Sequence, residues 1–111
     1  MLSAYKSHKN LIALVAVGDY STVEKGLIEE HWDPNVRNKD DVTPAHKAAE
    51  RNDLKMLKLL HSAGANLDVT DGFGTTPLFY TKENRNSSMI DFITSAISQT
   101  NIATSWKAPL G

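Results

Sequence analysis

Cysteine is absent from the 111 residues, which excludes disulfides and thiolate zinc sites without fixing the compartment. An excess of charge of either sign is missing too: 12 basic residues face 13 acidic ones, a formal net charge of −1. No global field therefore recruits nucleic acid or anionic lipid, so a nucleic-acid binder is disfavoured. Apolar runs are short, none approaching the ~20 residues of a membrane span. No phosphate loop, nucleophile elbow or dinucleotide fingerprint occurs. His8, His31, His46 and His61 lie in four contexts, with no pair spaced like helical metal ligands. The pairs Glu29-Glu30 and Asp40-Asp41 have polar neighbours and read as solvated surface. Gly72-x-Gly74 follows no strand and reads as a turn. The expectation is a protein without catalytic residues, cofactor or metal.

What is present is a repeated pattern. Thr43-Pro44 recurs at Thr76-Pro77, 33 residues later, a period typical of stacked arrays. Thr43 suits an N-cap, and Pro44 suits the first helical position, where its missing N–H costs nothing. Ala45, Ala48 and Ala49 make a thin helix that a neighbour can approach closely. Asn52-Asp53 breaks it, because both side chains compete for local backbone groups. A second helix from about Asp53 to Ser62 carries the apolar stripe Leu54, Met56, Leu57, Leu59 and Leu60. Gly64 stands where a left-handed residue ends a helix. Neither helix can bury its apolar surface alone, so the unit requires neighbours.

The string Thr-Pro-x-His-x-Ala-Ala, the Leu-x-Leu-Leu of the second helix and Gly-Ala-Asn-Leu-Asp resemble the ankyrin repeat. The resemblance covers about residues 10–97 and is strongest over 38–79. It implies an all-α solenoid of helix-turn-helix units with protruding β-turn or hairpin loops. Asn52 departs from it, standing where glycine is usual between the two helices. For His46 the resemblance implies a structural role, the ring bonding the capping Thr43 and neighbouring loop backbone. Thr76 and Pro77 repeat the structural motif of Thr43 and Pro44.

In chain order, residues 1–9 read as an N-terminal extension, and three repeats as about 10–37, 38–70 and 71–97. The first and third are expected to serve as caps, with the array ending at the third. Leu11 to Val17 is apolar all round; either Leu2 and Tyr5 fold over its outer side, or a partner or second copy covers it. A homodimer through this helix is thus a possibility, though not the favoured one. Basic Lys6 and Lys9 before that run could suggest a secretory leader. Gly18-Asp19 leads straight into another helix, however, so the cytoplasm is the expected compartment, export as an effector remaining open. Ser21 and Glu24 fit a capping box, and Val23, Leu27 and Ile28 a buried side. A small insertion is expected near Glu29 to Trp32. In the third unit, Phe79, Tyr80, Thr81 and Lys82 replace His46, Lys47, Ala48 and Ala49, two glycines permit positive φ around Phe73, and Ser88 suits a cap. Residues 98–111 read as a mostly irregular tail whose Trp106 either docks back or engages something else.

Ankyrin-like arrays bind protein partners through turn tips and the exposed side of the first helices. Carried over by position, the resemblance implies contacts at Lys39, Asp40 and Val42, then Gly72, Phe73 and Thr75. The helix positions are Lys47, Glu50 and Arg51, then Tyr80, Glu83 and Asn84. Phe73 is the sharpest of these, because a ring between two glycines either anchors a partner or folds back on the adjacent turn. A non-enzymatic protein-interaction module is the functional expectation. A dedicated inhibitor of the toxin-neutralising or host-directed kind, blocking a partner's active site, is the alternative.

Overall fold

The computed structural model describes residues 8–110 of the chain, with side chains from Leu11 to Ser98. Six helices follow one another: α1 (His8–Val17), α2 (Tyr20–Glu29), α3 (Pro44–Glu50), α4 (Leu54–Ser62), α5 (Pro77–Glu83) and α6 (Ser87–Leu110). No strand occurs among the described residues. Helices α1, α3 and α5 form one layer, in which α3 packs between the other two. Each is followed by an antiparallel partner, α2, α4 or α6, in a second layer. The core runs between the layers through Leu11, Val15, Val23, Met56, Leu57, Leu60, Met89 and Ile93, all fully buried. Ala45, Ala48 and Ala49 are buried beside them, so small side chains let the first-layer helices close up.

Backbone geometry exposes the repeat more sharply than side chains do. Left-handed φ occurs at Gly18 (78°), Asn52 (63°) and Arg85 (56°), between the two helices of each pair. It recurs at His31 (55°) and Gly64 (103°) after the second helix, and at Asp41 (63°) and Gly74 (79°) in the projecting turns. Asp41 to Gly74 and Asn52 to Arg85 each span 33 residues, whereas Gly18 to Asn52 spans 34. The extra residue widens the cap of α2. There the Trp32 N–H donates to the Gly26 carbonyl, six residues back, while after α4 the Ala65 N–H donates to Leu60, five back. Trp32 uses the wider loop to lie against Gly26, and both are buried.

Several local expectations are corrected. Asp19, not Ser21, caps α2, its Oδ1 accepting from the Thr22 N–H at 3.3 Å, so the helix starts at Tyr20. Asn86 rather than Ser88 caps α6, accepting from the Met89 N–H at 3.1 Å. Ile28 is 59% exposed, because Trp32 and Gly26 bring a different face of α2 inward. Gly74 alone of the two glycines in the third turn has positive φ. Gly72 instead permits a close approach, since a Cβ there would meet the Asp40 carbonyl at 3.0 Å. The expected irregular tail is helical as far as Leu110: between Asn84 and Lys107 the sequence has neither Gly nor Pro to stop the helix. The covering roles raised for Leu2 and Tyr5, and the docking of Trp106, lie outside the described side chains.

Candidate functional site

The two projecting turns are built alike and joined to each other. In the second unit the Asn38 N–H bonds the Val42 carbonyl at 3.1 Å, and Asn38 Oδ1 accepts from the N–H groups of Asp40 (2.8 Å) and Val42 (3.0 Å). In the third, Asp71 stands in the Asn38 position and accepts from Phe73 (2.9 Å) and Thr75 (3.0 Å). The Gly72 N–H donates to the Asp40 carbonyl at 2.8 Å, and Arg37 Nη1 bonds the Asp41 and Thr70 carbonyls. Two polar turns thus become one rigid ridge, with Lys39, Asp40 and Phe73 exposed along it and Val42 and Thr75 partly buried.

His46 ties the ridge to the helices. Its Nδ1 accepts from the Thr43 N–H at 3.1 Å and lies 2.9 Å from Thr43 Oγ1; Nε2 lies 2.8 Å from the Thr75 carbonyl. A backbone N–H can only donate and a carbonyl can only accept. The network therefore assigns the neutral tautomer with its proton on Nε2. The ring is 1% exposed and fully occupied, which removes it from catalysis. Thr76 caps α5 by accepting from the Phe79 N–H at 3.3 Å, with Pro77 at the first helical position.

The residues named from the sequence divide once placed. Lys47 and Glu50 form an ion pair on α3 at 3.2 Å. Arg51 donates to the Ala16 carbonyl at 3.0 Å and Asn84 to that of Ala49 at 3.1 Å, so both tie first-layer helices together. Phe73 is 81% exposed and Glu83 is exposed, while Tyr80 is partly buried, edge-on to His46 and Phe79. Sequence reasoning passed over Asp71, which is 7% exposed. Burial opposes its ionisation, but the bonds from the Thr75 and Phe73 N–H groups outweigh that and hold the carboxyl below its ordinary value of 3.8. Burial, and then the charges of Asp71 and Glu50, push the Tyr80 hydroxyl above its ordinary value of 10. An Asp directly before a glycine and two residues before an aromatic was the available signal, and it reads equally well as an ordinary turn. Among the described residues, no group of three or more His, Asp or Glu is placed to hold a metal ion, and no helix is long and apolar enough to cross a membrane. A cleft of about 190 Å³ lies between α4 and α6, lined by His61, Asn66, Leu67, Asp68 and Ile97 among others.

Comparison with known proteins bears on this architecture directly. The family described as ankyrin repeats (many copies) matches residues 27–80, the span that contains both turns and the His46 network. The chain belongs to the ankyrin repeat family. Similar sequences include the potassium channel KOR1 of Oryza sativa subsp. japonica, 36% identical over 86% of this chain and 11% of the channel. An ankyrin repeat protein of Fowlpox virus is 37% identical over 53% of this chain and 14% of its own length. Cyclin-dependent kinase inhibitor 2A of Monodelphis domestica is 34% identical over 60% of this chain and 40% of its own length. The chain thus spans well under half the length of each of these relatives. Ankyrin repeats are in general protein-interaction modules, typically non-enzymatic, and the helical pairs here are such repeats.

Proposed function

We propose that this ankyrin repeat protein recognises another protein along the ridge of its two turns and the adjoining exposed sides of α3 and α5. The observation that carries the reading is Phe73: a large apolar ring, 81% exposed, on a turn that Asp71 and Asp40 hold rigid. Displaying it costs the free protein apolar exposure, which a partner's surface would recover, and little ordering entropy is lost on binding. Lys39, Asp40, Val42, Thr75, Lys47, Glu50 and Glu83 flank it with mixed charge suited to complementary pairs, whereas Arg51 and Asn84 contribute mainly by holding helices in place. Nucleic acid and membrane are not proposed as partners, and neither is a second copy through α1. The cytoplasm is the proposed compartment, since the apolar run a leader would use lies in the core, with Leu11 and Val15 fully buried.

A narrower reading, dedicated inhibition of an enzyme, is favoured by the likeness to the kinase inhibitor. Affinity capture with the chain and its Phe73→Ala variant tests the broader one. Proteins retained by the wild type should be lost with Phe73→Ala, while a control such as Lys25→Ala on α2 retains them. Equal retention by all three would overturn it. Inhibition is then read as loss of activity in the captured partner.

A further inference from the structure

We propose that the bond between Asp71 and Gly72 is a modification site, where aspartate isomerises to isoaspartate when the third turn opens and is held in check while the two turns are joined. The inference is independent of what the ridge recognises and concerns the chemistry of the turn itself.

The sequence singles this bond out. Asp71 alone of the eight aspartates precedes a glycine, and no asparagine does. In the reaction the Gly72 nitrogen attacks Asp71 Cγ. The carboxyl hydroxyl leaves as water with the amide proton, and a cyclic succinimide forms. Water then adds back at one of the two ring carbonyls. Opening at Cγ restores aspartate, whereas opening at the main-chain carbonyl leaves a chain that runs through Cβ and Cγ, which is isoaspartate. One water leaves and one returns, with no change of oxidation state. A Cβ on the following residue would crowd the attacking nitrogen, and glycine has none.

The folded turn obstructs each step. Asp71 Oδ1 is held by the N–H groups of Phe73 (2.9 Å) and Thr75 (3.0 Å). They favour the ionised carboxylate, a poor electrophile because oxide is a poor leaving group. The Gly72 N–H donates to the Asp40 carbonyl at 2.8 Å, which holds the nucleophile against the second turn. The main chain on either side is tied as well, the Asp71 N–H to the Thr75 carbonyl and the Gly74 N–H to that of Asp71, both at 3.0 Å. All of these restraints are polar bonds, and Phe73, 81% exposed, adds little packing to oppose opening. Local opening of the turn therefore sets the rate. Closure in turn depends on the second unit, through Asp40, the Arg37 bonds to the Asp41 and Thr70 carbonyls, and His46 on the Thr75 carbonyl. Isoaspartate makes the main chain longer by one methylene and carries the carboxylate away from its two N–H donors. The turn then cannot close, and the Thr75 carbonyl is withdrawn from His46.

Incubating the full chain, folded and in concentrated urea, at one pH and temperature provides the test. Isoaspartate is counted by enzymatic methylation of its free carboxylate and placed by mass spectrometry of proteolytic peptides. The unfolded chain should accumulate it at position 71, and Gly72→Ala in urea should slow that reaction. The folded wild type should react about ten-fold or more slowly. Arg37→Ala, shown to be folded by circular dichroism, should move the folded rate toward the unfolded one. The isomerised chain, separated and returned to buffer, should lack the native amide resonance of Thr75 and ring resonances of His46. Equal rates in the folded and unfolded chain, no isoaspartate at position 71 in urea, folded Arg37→Ala reacting no faster than the wild type, or native resonances in the isomerised chain would each overturn the proposal.

Discussion

Gly26→Ala should destabilise this protein even though it places a better helix former in the middle of α2. A Cβ at position 26 would overlap Cε3, Cζ3 and Cδ2 of the Trp32 indole. The obstacle is a rigid ring that is 6% exposed, so it has no slack in which to retreat. Exchanging Gly for Ala in a helix interior ordinarily gains ~1 kcal/mol. Overpacking costs ~1–3 kcal/mol, rising toward ~3–5 kcal/mol if the ring is driven out of the core altogether. Destabilisation by ~1–3 kcal/mol is the expected net effect. In a Trp32→Ala background the obstacle is gone, and the same Gly26→Ala change should stabilise by ~1 kcal/mol. The two residues are thus coupled strongly enough to reverse a sign. Urea unfolding followed by circular dichroism measures all four corners of the cycle. Fluorescence in a Trp106→Phe background isolates Trp32, the other of the two tryptophans. Stabilisation by Gly26→Ala in both backgrounds would refute the packing of Trp32 on Gly26.

Arg85→Gly should raise stability by ~0.5–1 kcal/mol, because relieving a left-handed non-glycine residue gains more than the added freedom of the unfolded chain loses. Asn52→Gly should gain less, since Asn52 Oδ1 accepts from Asn86 Nδ2 at 2.6 Å; urea midpoints compare the two. Asp71→Asn should cost ~1–2 kcal/mol at neutral pH by exchanging charged for neutral acceptors. The sign follows from its depressed pKa: the Asp71 contribution is full above its ordinary value of 3.8 and fades as pH falls through the lower folded value. Acid titration of stability should therefore be flatter in Asp71→Asn, and an unchanged acid limb would count against the charged carboxylate. Leu57→Ala, at a fully buried position, should cost ~2–5 kcal/mol, whereas Phe73→Ala should leave the melting temperature nearly unchanged; a large loss with Phe73→Ala would place that ring in the core.

The second repeat was legible because its information is local. Thr43-Pro44 caps and starts α3 within two residues, and Leu57 and Leu60 share one face by helical spacing alone. Where the sequence misled, the deciding interaction came from outside the window being read. Nothing between Tyr20 and Glu29 shows that Trp32 will fold back on Gly26, yet that contact turns Ile28 outward. At the same register in the second repeat, small Ala65 faces the Leu59-Leu60 pair, so the two repeats fill one volume with large and small side chains exchanged. Asp19 and Ser21 are both good caps. The choice between them depends on Gly18, whose left-handed φ delivers the chain to α2 two residues early. For the candidate interaction positions, the sequence showed where they lie but not which of them the fold itself engages. Arg51 and Asn84 look like free polar groups in sequence, and only the neighbouring helix supplies the carbonyls that engage them. Asp71 looks solvated until the turn closes over it.

The bonds that stack one repeat on the next are not reproduced by the residues 33 positions onward in the third repeat. Asn35 bonds the Gly64 carbonyl and the Asn66 N–H, Arg37 the Thr70 carbonyl, His46 that of Thr75, and Asn52 the Asn86 amide. These bonds align each repeat on the next and satisfy backbone groups that apolar packing would leave unmet. Thirty-three residues onward the same four positions hold Asp68, Thr70, Phe79 and Arg85. Asp68 has lost the amide donor, Thr70 lacks the reach of Arg37, Phe79 has no polar atom and Arg85 offers no acceptor. The side of the third repeat turned away from the second therefore cannot be stitched in the way His46 and Arg37 stitch. It presents instead an aromatic ring, Phe79, 51% exposed, on the helix turn that also carries Tyr80. Apolar area displayed there is not offset by a ladder of backbone bonds, so any surface that covers it must supply side-chain complementarity of its own. On the proposed recognition reading, the residues that cannot stitch a further repeat are also those that leave an apolar ring for a partner to cover.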